Sequence, residues 1–198
     1  MLRVATARPV VEAIVVGTSA GALSALTILL SAFTGQPTLP VIIVVHLAAR
    51  QPSLLVEVFA RKTTWPVREP YHGQAIEPGI WFCPPGYHLL IEADRTFALS
   101  VDEPVNYSRP SIDVLFHSAA QVYGKALVGV VLTGASADGA DGAVAIVDAG
   151  GLVVVQDPAS AECSLMPAQA IARAKPQFVG RLDEMAPFLA ELTRSTAC

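Results

Sequence analysis

Apolar residues follow two rhythms along the chain. Unbroken runs rich in Val and Ile stand at residues 12–17 (EAIVVG), 40–46 (PVIIVVH), 126–133 (ALVGVVLT) and 151–156 (GLVVVQ). Between them, apolar positions recur three or four residues apart. Leu23, Leu26, Leu30 and Phe33 share one helical face over 21–33, which Gly35 closes. Leu54, Leu55, Val58 and Phe59 mark a helix over 52–61. Further helices are expected over 111–123, with Ser111 as N-cap and Asp113 in its positive first turn, and over 139–149, 166–174 and 183–194. Solidly apolar strands alternating with helices predict an α/β fold: a doubly wound, mostly parallel sheet buried on both faces. The middle of the chain breaks the rhythm. Short strands at 79–84, 87–92 and 96–101, with the polar turn Ala93-Asp94-Arg95 between the last two, predict an antiparallel hairpin inserted into or edging that sheet.

Composition agrees with a doubly buried sheet. Of the 198 residues, 53% are hydrophobic and only 15% charged, and the mean hydropathy is +0.50. Alanine, with 31 residues, supplies much of this. Disorder is excluded by the low charge and the many aliphatic residues. A membrane-inserted helical protein is not expected, because no apolar run approaches the ~18–20 residues of a bilayer span. The net charge of −4 comes without a Lys/Arg block, so no nucleic-acid partner is expected. Cys83, Cys163 and Cys198 form no CxxC pair and read as reduced thiols, which places the protein in the cytoplasm. Residues 1–10 are expected to be a flexible lead-in and 11–195 a single domain.

Ligands of open parallel sheets bind beyond the carboxyl ends of the strands. The first run is followed there by Gly17-Thr18-Ser19-Ala20-Gly21, the second ends on His46, and the third leads into GASADGADG, residues 134–142. A serine, a histidine and an aspartate thus share one edge, which is the membership of a hydrolytic triad. Gly17-x-Ser19-x-Gly21 has the form of a nucleophile elbow, in which glycines permit a sharp strand-to-helix turn. On local pattern alone, a phosphate-cradling loop or a plain glycine turn remain open. Only His46 among the four histidines ends a core strand beside the first one, and imidazole suits general-base work near neutral pH. His72 and His117 read as structural, and His88 stays open. Asp138 lies nearer its strand than Asp141 and is the better orienter of an imidazole. No histidines stand at ligand spacing from these acids, so no metal is expected.

Several stretches together resemble the catalytic domain of the CheB-type chemotaxis methylesterases. They are GTSAGA (17–22), VVHL (44–47), PPGYHLLI (84–91), NYSRPSIDVLFHSAA (106–120) and VGVVLTGASADGADG (128–142), and the likeness runs from about Val11 to Gly180. The resemblance implies hydrolysis of γ-glutamyl methyl esters on the cytoplasmic domains of methylated chemoreceptors, together with glutamine deamidation, without cofactor. It casts Ser19 as nucleophile, His46 as general base and acid, and Asp138 as the group that holds the imidazole. The backbone N–H groups of Ala20 and Ala135 are the expected oxyanion donors. Thr18, Arg109 and Ser136 are candidates for substrate contact, with Arg109 alternatively pairing with a carboxylate to fix its loop.

The sequence also departs from the family pattern. Ala20 stands where the family has threonine, Ala22 replaces a glycine, and Gly134-Ala135-Ser136-Ala137 replaces GMGN. The family's receiver domain and linker have no counterpart in these 198 residues. The expectation is therefore constitutive activity or control by a separate regulatory partner. The substitutions keep a second class of function in view, a non-catalytic module of the same fold that binds a receptor or signalling partner.

Overall fold

The structure, a computed structural model, describes residues 10–46 and 54–194. Residues 1–9 of the expected lead-in, Leu47 of VVHL, Pro52 and Ser53 of the second helix, and Cys198 lie outside the described residues.

The chain runs β1 (Ala13–Thr18), α1 (Ala22–Leu30), β2 (Pro40–Val45), α2 (Leu55–Ala60), β3 (Val67–Arg68), β4 (Gly79–Phe82), β5 (His88–Ile91), β6 (Phe97–Ser100), α3 (Ile112–Tyr123), β7 (Leu127–Val131), α4 (Ala140–Asp148), β8 (Leu152–Gln156), α5 (Leu165–Ala174), β9 (Phe178–Gly180) and α6 (Leu182–Arg194). The main sheet has seven strands in the order β3-β4-β2-β1-β7-β8-β9, and every pairing in it is parallel. The hairpin takes the inserted form: β5 and β6 pair antiparallel with each other as a separate two-stranded sheet. The edge strands β3 and β9 have no counterpart in the sequence reading. At two and three residues they are too short to show a rhythm.

The unbroken apolar runs have a simple cause. Successive side chains of a strand point to opposite faces, and both faces of this sheet are covered. Ile14, Val16, Val41, Ile43, Val128 and Val130 pack with α1, α2 and α6. Their neighbours Val15, Ile42, Val44 and Val131 pack with α3, α4 and α5. Every residue of β1, β2 and β7 is buried. No polar position is tolerated until a strand ends, so the first polar side chains emerge together at the carboxyl edge.

The strand order reverses direction around β1, with β2 on one side and β7 on the other. That switch point opens a crevice between the loops. Thr18 pairs with Val45, and His46 N still donates to Thr18 O (3.1 Å), so Ser19 and His46 both leave the carboxyl ends of neighbouring strands. Gly17 brings a third element in. A Cβ there would lie 2.3 Å from Ile112 Cγ2, and one on Gly139 would lie 2.7 Å from the same atom. These two bare backbones let the start of α3 settle on the edge of the sheet.

Gly17→Ala is therefore expected to destabilise the fold by ~1–3 kcal/mol through overpacking. Urea denaturation should also show that combining it with Ile112→Ala costs less than the sum of the two single changes. Full additivity would mean that the contact does not position α3.

Candidate active site

The loop after β1 turns sharply into α1. Gly21 occupies the helix N-cap with φ 82°, a left-handed conformation that favours glycine. A Cβ on it would meet Glu162 Cβ and Oε2 at 2.9 Å and Thr133 Cγ2 at 3.0 Å. Thr133, just beyond β7, pins the turn. Its carbonyl accepts from Ser19 N (3.0 Å) and from Thr18 Oγ1 (3.0 Å), while its hydroxyl donates to Ala20 O (2.8 Å). Ser19 is left partly exposed at the crest of the turn.

His46 Nε2 lies 2.8 Å from Asp138 Oδ2. The His46 side chain is 13% exposed and that of Asp138 is fully buried. Asp138 also accepts from Ile112 N (2.7 Å), Asp113 N (3.1 Å), Gly139 N (3.1 Å) and Ser111 Oγ (2.9 Å). The first two are free N–H groups of the first turn of α3, where a negative charge is favoured. Burial alone would raise the Asp138 pKa. The hydrogen bonds from His46, Ile112, Asp113 and Ser111 outweigh it and hold the carboxyl down at about 2. An ionised carboxylate only accepts, so Nε2 of His46 carries the hydrogen of that bond. Nδ1 is then the ring atom free to take a proton.

Ser111 stands at the N-cap position of α3, as its sequence context predicts, but its hydroxyl caps nothing. It donates to Asp138 instead, and Asp138 does the capping from the loop after β7. The Ser111 main-chain N–H is held by His88 Nδ1 at 3.2 Å, and His88 Nε2 faces Glu103 O at 3.1 Å. That settles His88 as a buried structural histidine. His72 accepts from Leu99 N, and His117 is exposed on α3.

Ser19 and His46 line one cleft of about 440 Å³ together with Val45, Leu23, Leu55 and Glu162. Ser19 and His46 thus face one open, mostly apolar cleft, with the buried Asp138 carboxylate against the imidazole, an arrangement that can support serine-type acyl transfer. Among the described residues no three His, Cys, Asp or Glu side chains are grouped to hold a metal ion, and no helix is long and apolar enough to cross a membrane.

A family model described as CheB methylesterase matches residues 14–189. The chain belongs to the CheB methylesterase family. A relative from Leptospira interrogans is 42% identical over 185 residues, covering 93% of this chain and 96% of that protein. A Paramagnetospirillum magneticum relative, named protein-glutamate methylesterase/protein-glutamine glutaminase 1, is 34% identical over 91% of this chain, which spans 49% of its length. Among solved structures, the catalytic domain of Thermotoga maritima CheB methylesterase superposes with a TM-score of 0.87 at 25% identity, covering 92% of this chain and 98% of that one.

Within this CheB-type fold the remaining sequence candidates separate. Among the described residues, neither Ala20 N nor Ala135 N donates to an acceptor, and both alanines are exposed. Ser136 is half-buried and accepts from Asp138 N at 3.4 Å. Thr18 must be corrected as a substrate contact. It is fully buried, because it is the last residue of β1, and its hydroxyl is spent on the Thr133 carbonyl. Arg109 donates from Nη1 to the carbonyls of Val101 and Asp102 (2.6 and 2.9 Å). It ties down its own loop, through main-chain oxygens rather than the expected carboxylate, and does not line the cleft. Glu162, Thr133 and Asn106 join the site without having been singled out in the sequence. Asn106 and Thr133 lie inside the quoted stretches 106–120 and 128–142 without being assigned a role there, and Glu162 lies outside them.

Asp138→Ala should lower stability by at least ~3 kcal/mol, since each orphaned buried donor costs ~1–3 kcal/mol, whereas Ser19→Ala should be close to neutral. The Asp138 pKa is depressed from 3.8 to about 2 in the folded state. Its stabilisation is therefore complete above pH 4 and fades as pH falls toward 2. Denaturation of wild type and Asp138→Ala across that range should show their gap closing. A gap that does not change with pH would contradict the assignment of charge to Asp138.

Proposed function

We propose that this chain hydrolyses γ-glutamyl methyl esters on methyl-accepting chemoreceptor proteins, releasing methanol, and that the same triad deamidates glutamine side chains. The observation that carries this reading is the 2.8 Å His46–Asp138 pair standing beside Ser19 at the edge of one cleft. Family membership and the names of the relatives supply the substrate class.

In the proposed cycle, His46 Nδ1 accepts the Ser19 hydroxyl proton as Oγ attacks the ester carbonyl carbon. The carbonyl oxygen becomes an oxyanion that faces the N–H groups of Ala20 and Ala135. Asp138 stabilises the imidazolium that forms. The C–O bond to the methoxy group breaks, His46 returns its proton to that oxygen, and methanol leaves. Water then enters, loses a proton to His46 and attacks the acyl carbon. Collapse releases a γ-carboxylate and restores the Ser19 hydroxyl. With a glutamine substrate, ammonia leaves in place of methanol.

Glu162 gives the cleft a direction. Its carboxylate has no hydrogen-bond or ion-pair partner among the described residues, and it lies against Gly21 beside the nucleophile. A neutral ester enters past it without penalty, whereas the product carries a negative charge and is repelled.

Ser19→Ala should lower methanol release from methylated receptor by ~10⁴-fold or more while the fold is kept. A fluorophosphonate should label Ser19 in the wild type. A folded chain that resists the probe would overturn the esterase reading and favour a binding module that only retains the fold. Glu162→Gln should tighten inhibition by the demethylated product several-fold at low salt, with the difference shrinking as salt rises. Equal product inhibition in the two proteins would remove Glu162 from the account.

A further inference from the structure

Behind the triad lies a tight turn that the proposed cycle does not use. Val105 and Ser108 exchange both main-chain hydrogen bonds, at 3.2 and 2.9 Å. Asn106 and Tyr107 between them have φ 51° and 62°. Successive positive φ angles belong to a two-residue turn in which asparagine is favoured. Turn chemistry alone would leave the Asn106 side chain free to face solvent. It points inward instead. Nδ2 lies 2.7 Å from Asp113 Oδ2 and 3.3 Å from Asp138 Oδ1. Two carboxylates face that atom, which fixes it as the nitrogen, and its two hydrogens suffice to donate to both.

Asp113 is itself buried and otherwise held by Gly142 N at 2.6 Å. Burial, and then the neighbouring charge of Asp138, lift its carboxyl to about 6 despite the Gly142 bond. A protonated Asp113 has one nearby acceptor of full negative charge, Asp138. An O–H bond to Asp138 would draw charge away from the oxygen that supports His46. The Asn106 amide donates to both carboxylates beside that contact, and so competes with it for the Asp138 oxygen.

We propose that Asn106 is a positioning residue: its amide, donating to both Asp113 and Asp138, keeps the Asp138 carboxylate committed to His46. The inference rests on the triad reading above and adds to it a residue that touches neither substrate nor reacting atoms.

Asn106→Gly is the discriminating variant. Glycine adopts the positive φ at no cost, so the turn is kept and only the amide is lost. With a small activated ester as substrate, kcat should fall roughly tenfold, the effect of losing the hydrogen bond to Asp138. KM and the melting temperature should stay near the wild-type values. Carboxyl ¹³C titration should show the Asp113 midpoint moving upward. Asn106→Asp keeps the shape and the turn preference but turns the donor into an acceptor, and it should lower kcat further. Wild-type kcat in Asn106→Gly would overturn the proposal and reduce Asn106 to a turn residue. If the wild type shows no Ser19-dependent turnover, the functional reading fails separately. The titration then decides, and an unmoved Asp113 midpoint overturns the role of Asn106.

Discussion

A buried carboxylate at the beginning of a helix is the interaction on which this site depends. Asp138 has no exposed surface, and an ion placed there without partners would cost several kcal/mol. The cost is offset by main-chain N–H groups of α3 that need acceptors in any case, by Ser111 and by the imidazole of His46. One charge therefore does two jobs. It caps α3, which packs against the sheet, and it sets the tautomer and direction of His46. Stability and catalytic geometry cannot be separated at this residue, whereas Ser19 stands at a crest where little else relies on its hydroxyl.

That arrangement requires α3 to begin directly over the sheet edge, and glycines make this possible. Gly17 and Gly139 leave room for Ile112, the first residue of α3, where a methyl group on either would collide with it. Gly17 thus serves the family's GxSxG pattern in two ways. It belongs to the turn that raises Ser19, and it admits the helix whose N-terminus binds Asp138. Thr133 completes the frame by tying the elbow to the end of β7 through its carbonyl and its hydroxyl.

Much of this was legible in the sequence, for a reason specific to doubly covered sheets. Their strands admit polar residues only at or near their carboxyl ends, so the polar residues that follow each run mark the functional edge. Ser19, His46 and Asp138 stood out in that way, and the structure brings their loops together because β2, β1 and β7 are neighbours. Ser111 shows where the reading stops. Its local context predicts an N-cap, yet the cap comes from a residue 27 positions away. Thr18 sits one residue before Ser19, but burial turns its hydroxyl inward onto the Thr133 carbonyl. Asn106 opens the quoted stretch 106–120, but nothing local gives its side chain a role, and Glu162 lies in none of the quoted stretches. Glu162 reaches the cleft only because the loop after β8 folds back over Gly21.

The central claim, that Asp138 holds His46 through Nε2 and leaves Nδ1 to exchange the proton with Ser19, is tested most directly by ¹⁵N NMR of the imidazole ring in the neutral state. A protonated Nε2 and an unprotonated Nδ1 are expected for His46, with that preference lost in Asp138→Ala. A neutral ring protonated at Nδ1 in the wild type, unchanged by Asp138→Ala, would contradict it.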